Sequence, residues 1–171
     1  METEKRRREI LNILHKASRP LTGTELAQNF NVSRQVIVQD IAILRASGEE
    51  ILASLQGYLI PAKQQENRVR VVVACRHTRE QIEDELGIVV DFGGRALDVI
   101  VEHPVYGELR GNLMIASRYD LKLFLESLDK TAANPLLALT GGIHLHTLEA
   151  PGQTVMEEIT AALHKAGYLV K

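Results

Sequence analysis

Residues 31–48 read NVSRQVIVQDIAILRASG, and no other stretch restricts the fold of this chain as sharply. Val36, Ile37, Ile41 and Leu44 recur at the spacing that lines up side chains along one side of an α-helix. Ser33 stands just before the pattern, where a hydroxyl can accept a hydrogen bond from an otherwise unpaired backbone N–H of the first turn. Gly48 stands just past it, where helices stop. The spacing predicts a capped helix with a buried apolar stripe. Arg34, Gln35 and Gln39 project from its first turns on the sides the stripe leaves free. A helix with such a polar start can enter the major groove of DNA, because Arg reads guanine and Gln reads adenine through paired hydrogen bonds.

The surroundings strengthen that reading. Residues 20–30 (PLTGTELAQNF) predict a short helix with Leu26, Ala27 and Phe30 on one face, and the link through Asn31 and Val32 is as tight as the turn of a helix-turn-helix. Residues 4–17 add a third apolar face through Ile10, Leu11, Ile13, Leu14 and Ala17. Residues 51–60 (ILASLQGYLI) hold two short strand-like runs with a turn at Gln56 and Gly57. Three helices followed by a hairpin is the order of a winged helix. The competing reading is a helical bundle whose third helix merely faces water; the tight turn, the cap and the polar first turn together favour DNA. The residues expected to meet it are Thr24, Ser33, Arg34, Gln35 and Gln39. Residues 21–27 and 32–37, with Asp40, Ile41, Leu44 and Arg45, resemble the winged helix-turn-helix of the biotin-repressor type over the whole of 1–60. The resemblance implies DNA binding and says nothing of the signal sensed.

Net charge is −2 over 171 residues, which argues against coating nucleic acid by charge alone. Residues 1–60 carry eight Lys/Arg against seven Asp/Glu, and residues 61–171 carry twelve against fifteen. The basic run at 5–8 (KRRR) reads equally as a solvated helix start or as a phosphate contact. The single cysteine, Cys75, excludes a disulfide framework and sits in an apolar run, as a buried free thiol does. No apolar stretch reaches the 18 residues of a spanning helix, and the charged start lacks a signal-peptide core, so a cytoplasmic protein with no membrane partner is expected.

Residues 61–67 (PAKQQEN) are polar, open with proline and read as a linker. Beyond them the pattern gives a strand at 69–75, a short helix from Thr78 to Leu86 stopped by Gly87, and a strand at 96–101, with 88–92 strand-like as well. A strand at 105–115, a helix capped by Ser117, a strand at 143–148 and a helix capped by Thr154 and ending near Gly167 complete it. The order β-α-β-β-α-β-α predicts an α+β open-faced sandwich over 68–171, with helices on one face of an antiparallel or mixed sheet.

Within that domain His144 and His146 flank Leu145. Two apart on a strand, they share a face. If Ile143 and Leu145 face the helices, both imidazoles stand on the open face, where they either are simply solvated, the favoured reading of a lone His-x-His, or suit a transition-metal ion side by side. His77 ends the first strand and could give a third nitrogen; Glu80, Glu83, Asp84 and Glu85 follow on the helix, and one of them could give an oxygen. Glu85 lies eight residues past His77, about 12 Å of helix rise, a gap that a His and a Glu reaching toward each other through an ion just span.

The whole chain, with Cys75, Arg76 and His77, the VEHPVYG run at 101–107 and the GGIHLHT run at 141–147, resembles the three-histidine-domain transcription regulators, and among them the niacin-responsive repressors that control NAD biosynthesis and niacin uptake genes. The resemblance implies a homodimer on operator DNA, nicotinic acid as co-repressor, and a divalent metal held by His77, Glu85, His144 and His146. Nickel and zinc both suit such nitrogen-rich ligation. Arg76 and Arg79 could clasp the ligand's carboxylate, and His103, before Pro104 in an expected turn, either lines the pocket or serves the turn. Two alternatives stay open: a repressor that senses the metal itself, and a metal-dependent hydrolase with Glu102 or Glu83 as base, which the absence of a His-Glu-x-x-His run and the attached helix-turn-helix disfavour.

Overall fold

The computed structural model describes residues 2–61 and 68–170. The chain divides into two compact units, Met1–Lys63 and Gln64–Lys171. Of the expected linker only Pro61 falls within the described residues.

The first unit is three helices, α1 (Glu2–Lys16), α2 (Gly23–Phe30) and α3 (Arg34–Ala46), and a hairpin of β1 (Leu52–Ser54) and β2 (Gly57–Leu59). The start of α2 is fixed by a reciprocal cap. The Glu25 N–H donates to Thr22 Oγ1 (3.1 Å) while Glu25 Oε2 accepts the Thr22 N–H (2.7 Å). The Arg19 guanidinium, 2.6 Å away, with the Thr22 N–H and the Thr22 hydroxyl (2.8 Å) both donating to its Oε2, holds the Glu25 carboxyl down at about 2. Asn31 ends α2 in the left-handed region (φ 51°), which lets Val32 N–H reach back to Ala27 O (3.0 Å) and turns the chain into α3 within three residues. Ser33 caps α3 as expected, its hydroxyl accepting from Val36 N–H at 3.4 Å.

The buried face of α3 is Ile37, Asp40, Ile41 and Leu44, packed on Ile10, Leu14, Leu26, Ala27 and Ile51; Val36, read as part of the stripe, is only half-buried. Nothing in the local pattern marks a carboxylate in that face. It is matched by the basic run of α1: Arg6 Nε and Arg7 Nε reach Asp40 Oδ2 and Oδ1 at 2.6 and 2.9 Å. Two of the four basic residues thus serve the fold. Asp40→Ala should lower the stability of this unit by about 2 kcal/mol, less than a fully buried pair because the arginines keep some water contact. Faster hydrogen exchange at α1 and α3 amides, with exchange in the second unit unchanged, is the expected reading.

The hairpin turns at Leu55 and Gln56, one residue earlier than its composition suggested, since Ser54 pairs with Gly57. Gly57 (φ +124°) is needed in the strand itself. A Cβ there would lie 2.3 Å from Leu21 O, because Leu21 exchanges both backbone hydrogen bonds with Tyr58 (2.8 and 2.9 Å).

The second unit runs β3 (Val69–Arg76), α4 (Ile82–Asp91), β4 (Arg95–His103), β5 (Gly107–Ile115), α5 (Arg118–Thr131), β6 (Ile143–Ala150) and α6 (Gln153–Ala166). Strand order is β3-β6-β4-β5, every pair antiparallel. The α+β order is as expected, and one face of the sheet carries Val73, Cys75, Ala96, Leu113, Leu148 and Ala150 against Ile82, Leu86 and Val89 of α4, Leu121 of α5 and Met156, Ile159 and Leu163 of α6.

Several boundaries differ. Residues 88–91 continue α4 rather than forming a strand, because Ile82, Glu85, Leu86 and Val89 make one helical face. Gly87 is inside that helix; a Cβ there would lie 2.6 Å from the Arg118 guanidinium crossing from α5. Val105 belongs to the turn before β5, and α6 is capped by Gly152 rather than Thr154. A 3-10 turn at Leu136–Thr140, unforeseen from sequence, leads into β6. Among the described residues no helix is long and apolar enough to cross a membrane.

Candidate metal centre

Alternation along β6 puts His144 and His146 on one face with Leu148 and Ala150, all four buried, while Ile143 stays 46 % exposed on the other. The histidines therefore point into the helix-covered side, not onto the open face. Period two fixes which residues share a face but not which face is covered. Ala150, at the end of a strand two residues longer than expected, decides it by joining the core under α6. His77 extends the inward row of β3, two residues past Cys75, and Cys75 pairs directly with His144.

Above these rings α4 presents Glu85, 1 % exposed. Its Oε2 lies 2.8 Å from His77 Nε2 and 3.3 Å from His146 Nε2, and its Oε1 lies 3.5 Å from His144 Nε2. The rings stack edge to face, with centroids 4.7 Å apart for His77–His144 and 4.8 Å for His144–His146. Each ring is held from behind by main chain: the Nδ1–H of His77 donates to Thr78 O (2.7 Å), that of His144 to Gly142 O (2.9 Å) and that of His146 to Asp98 O (2.5 Å). A carbonyl only accepts, so Nδ1 carries the proton in all three and every Nε2 is turned toward Glu85.

Burial alone would raise the Glu85 carboxyl, but the imidazoles of His144, His146 and His77 bring it well below the carboxylate range. Burial would lower His77 and His146, yet the bond to Glu85 and its charge raise both. Burial, then the Glu85 charge, pushes the Cys75 thiol up. Tyr168, edge-on to His77 at 5.5 Å, donates to Asp84 Oδ2 (2.8 Å), and burial with that bond takes its phenol up to about 12. Two buried polar atoms, Glu85 Oε1 and His144 Nε2, have no hydrogen-bond partner among the described residues. Orphaned atoms of this kind in a folded interior call for an explanation, and a cation between them supplies one. Three imidazoles and a carboxylate converging in a closed interior fit a divalent transition ion.

The cluster forms the floor of a cavity of about 240 Å³. Its walls come from Val99 and Leu113 of the sheet, Phe124 and Leu128 of α5 and Leu136 and Leu137 of the 3-10 turn, with Asn112 and Asn134 as polar groups. No Lys or Arg lines it among the described residues. Arg76 is exposed on the opposite face of β3, and Arg79 is bonded to Asp129 Oδ1 (3.0 Å) and Ala133 O (2.9 Å) outside the cavity. His103 Nδ1 accepts the Val105 and Tyr106 N–H groups at 3.2 and 3.3 Å, so it serves the turn. Glu83 and Glu102, the candidate bases of the hydrolase reading, are exposed and do not line the cavity. In the first unit Thr24, Arg34, Gln35 and Gln39 are exposed at the starts of α2 and α3, beside the Ser33 cap.

A 3H-domain family model matches residues 70–171, and a model of an HTH domain matches residues 6–59. The chain belongs to the 3H-domain family. The 3H domain of this chain and its helix-turn-helix together are 44 % identical over 168 residues to the probable transcription repressor NiaR of Thermotoga maritima, covering 98 % of this chain and 95 % of that protein. They are 43 % identical over 168 residues to the transcription repressor NadR of Bacillus subtilis, covering 97 % and 93 %. Both relatives are regulators rather than enzymes.

Sequence reasoning did not reach two parts of the 3H domain's site. The walls come from α5 and the 3-10 turn, whose residues carry no spacing that marks them. In the sequence Gly142 stands only as part of the GGIHLHT run at 141–147. It has φ +94°, accepts from both the His77 N–H (3.3 Å) and His144 Nδ1–H (2.9 Å), and a Cβ on it would lie 2.5 Å from His77 O. Gly142→Ala should displace both rings and weaken metal binding by about 10- to 100-fold, the size of effect seen when groups that orient metal ligands are lost. Competition against a calibrated chelator measures it.

Proposed function

We propose that this chain is a transcription repressor of NAD biosynthesis and niacin uptake genes that binds operator DNA as a homodimer, with nicotinic acid as co-repressor and a divalent transition metal, nickel or zinc, in its 3H domain. The observation that carries the reading is a buried cluster of three histidines and Glu85, with two orphaned polar atoms, at the floor of a cavity sized for a small aromatic acid. Its apolar walls, Phe124 above all, suit a flat ring, and Asn112 and Asn134 offer polar contacts at its edge.

His77, His144, His146 and Glu85 would hold the ion. When bound, it supplies positive charge and an open position for an anionic or pyridine donor. That charge matters because the lining has no guanidinium or ammonium to meet a carboxylate among the described residues. The Nδ1 anchors keep the imidazole donors aimed without further ordering cost. In the first unit Arg34, Gln35 and Gln39 would read base edges, and two such units on a symmetric dimer would meet two half-sites. Nicotinate acts only through a difference in affinity between DNA-competent and DNA-incompetent arrangements, so it and the operator should tighten each other's binding by the same factor.

The test is calorimetric titration of nicotinate into the metal-loaded chain, with and without operator, alongside light scattering. Saturable binding that tightens on operator addition, by a dimer, is the expected result. Operator binding that responds fully to metal and not at all to nicotinate would replace this reading with a plain metal sensor.

A further inference from the structure

We propose that the Cys75 thiolate is a further donor to the metal ion of the three-histidine cluster, making the centre a mixed sulfur, nitrogen and oxygen site. The inference rests on the reading of that cluster as a metal centre and deepens it. Cys75 is 0 % exposed and stands directly opposite His144 in the β3–β6 pairing, its side chain on the same inward face. A ligand atom from each of Cys75, Glu85 and His144 lies within 4.8 Å of the other two. Donors held about 2.0–2.3 Å from one ion are separated by about that span or less. The second observation does not involve the sulfur. The two residues that complete this triplet with Cys75 are the two that carry orphaned buried atoms, Glu85 Oε1 and His144 Nε2. The unsatisfied side of the carboxylate is therefore the side shared with His144, whereas His77 is already bonded to Oε2 at 2.8 Å.

An unreactive core thiol needs no such neighbours; an apolar side chain would fill the same space without facing a carboxylate. Coordination replaces the S–H bond by a sulfur–metal bond, and the proton leaves to solvent. A thiolate among the donors favours zinc, nickel or cobalt and disfavours magnesium and manganese, which prefer oxygen.

The experiment uses the full chain. Loaded with cobalt(II), it should show an intense near-ultraviolet thiolate-to-cobalt charge-transfer band, with one cobalt per chain by elemental analysis. Cys75→Ser should lose that band while retaining cobalt and the weaker visible bands of the remaining donors. Because a buried substitution can compromise folding, X-ray absorption of the zinc-loaded parent gives a second reading without any variant, and it should show a sulfur scatterer at about 2.3 Å. Metal retained in a shell of nitrogen and oxygen alone, or a band unchanged in Cys75→Ser, overturns the role of Cys75 and leaves the histidine centre standing. A parent that retains no metal overturns both.

Discussion

Changing His144 and His146 together to alanine should abolish metal retention and, with it, the response to nicotinate. Both rings are buried, both Nε2 atoms face Glu85, and no other imidazole in the unit can replace them. His77 and Glu85, with Cys75 as the further donor, then remain, fewer than the four ligands of a closed structural site. The loss of two imidazoles also takes away part of what keeps Glu85 ionised. Its carboxyl should then rise and take up a proton in the interior rather than remain a bare buried charge. Circular dichroism checks the fold, and the milder Glu85→Gln, which keeps the shape and removes the charge, should likewise lose most of the metal. Elemental analysis and calorimetry decide the matter: full nicotinate affinity in a metal-free, folded variant would sink the idea that the histidines build the sensing site.

The second large effect lies in the other unit. Arg34→Ala and Gln35→Ala should each weaken specific operator binding by about 1–3 kcal/mol, about 5- to 150-fold, with little change in stability. Both side chains are exposed in the first turn of α3, whose core contacts come from Ile37, Ile41 and Leu44 instead. Loss of a base contact should act on the operator more than on random DNA, whereas loss of a phosphate contact weakens both and flattens the salt dependence. Gel shifts at fixed salt against operator and scrambled DNA separate the two. Parent-like binding by both variants would mean that α3 does not read the groove.

Much of this was legible in the chain because the signals were local. The Ser33 cap, the apolar stripe of α3 and the common face of the two histidines two apart depend on neighbours within a few residues. What escaped depends on contacts made across the fold. Asp40 looks like a surface acid until α1 folds back and two arginines, 33 and 34 residues away, close on it. The run at 88–91 has the β-branched content of a strand, yet the face shared by Ile82, Glu85, Leu86 and Val89 keeps it helical, since packing outweighs propensity. The sign of the β6 alternation could not be read from 143–148 alone, because both faces carry plausible core residues. The cavity walls are recruited from three elements by the β3-β6-β4-β5 order, which local pattern does not encode.

The carbonyls behind the three imidazoles belong to Thr78, Asp98 and Gly142, which sit on the lead into α4, at the irregular stretch of β4 and on the approach to β6. The aim of each ring is written in the main chain, so nearby side chains can vary without re-aiming a donor. The reverse also holds. Any reorientation of a ring tugs on the segment that anchors it, and the three segments converge on one point. The cluster is thereby a mechanical junction: drawing the Nε2 atoms together by a fraction of an ångström would tighten α4, β4 and β6 at once, turning a small local contraction into a concerted shift of the sheet and the helix that roofs it.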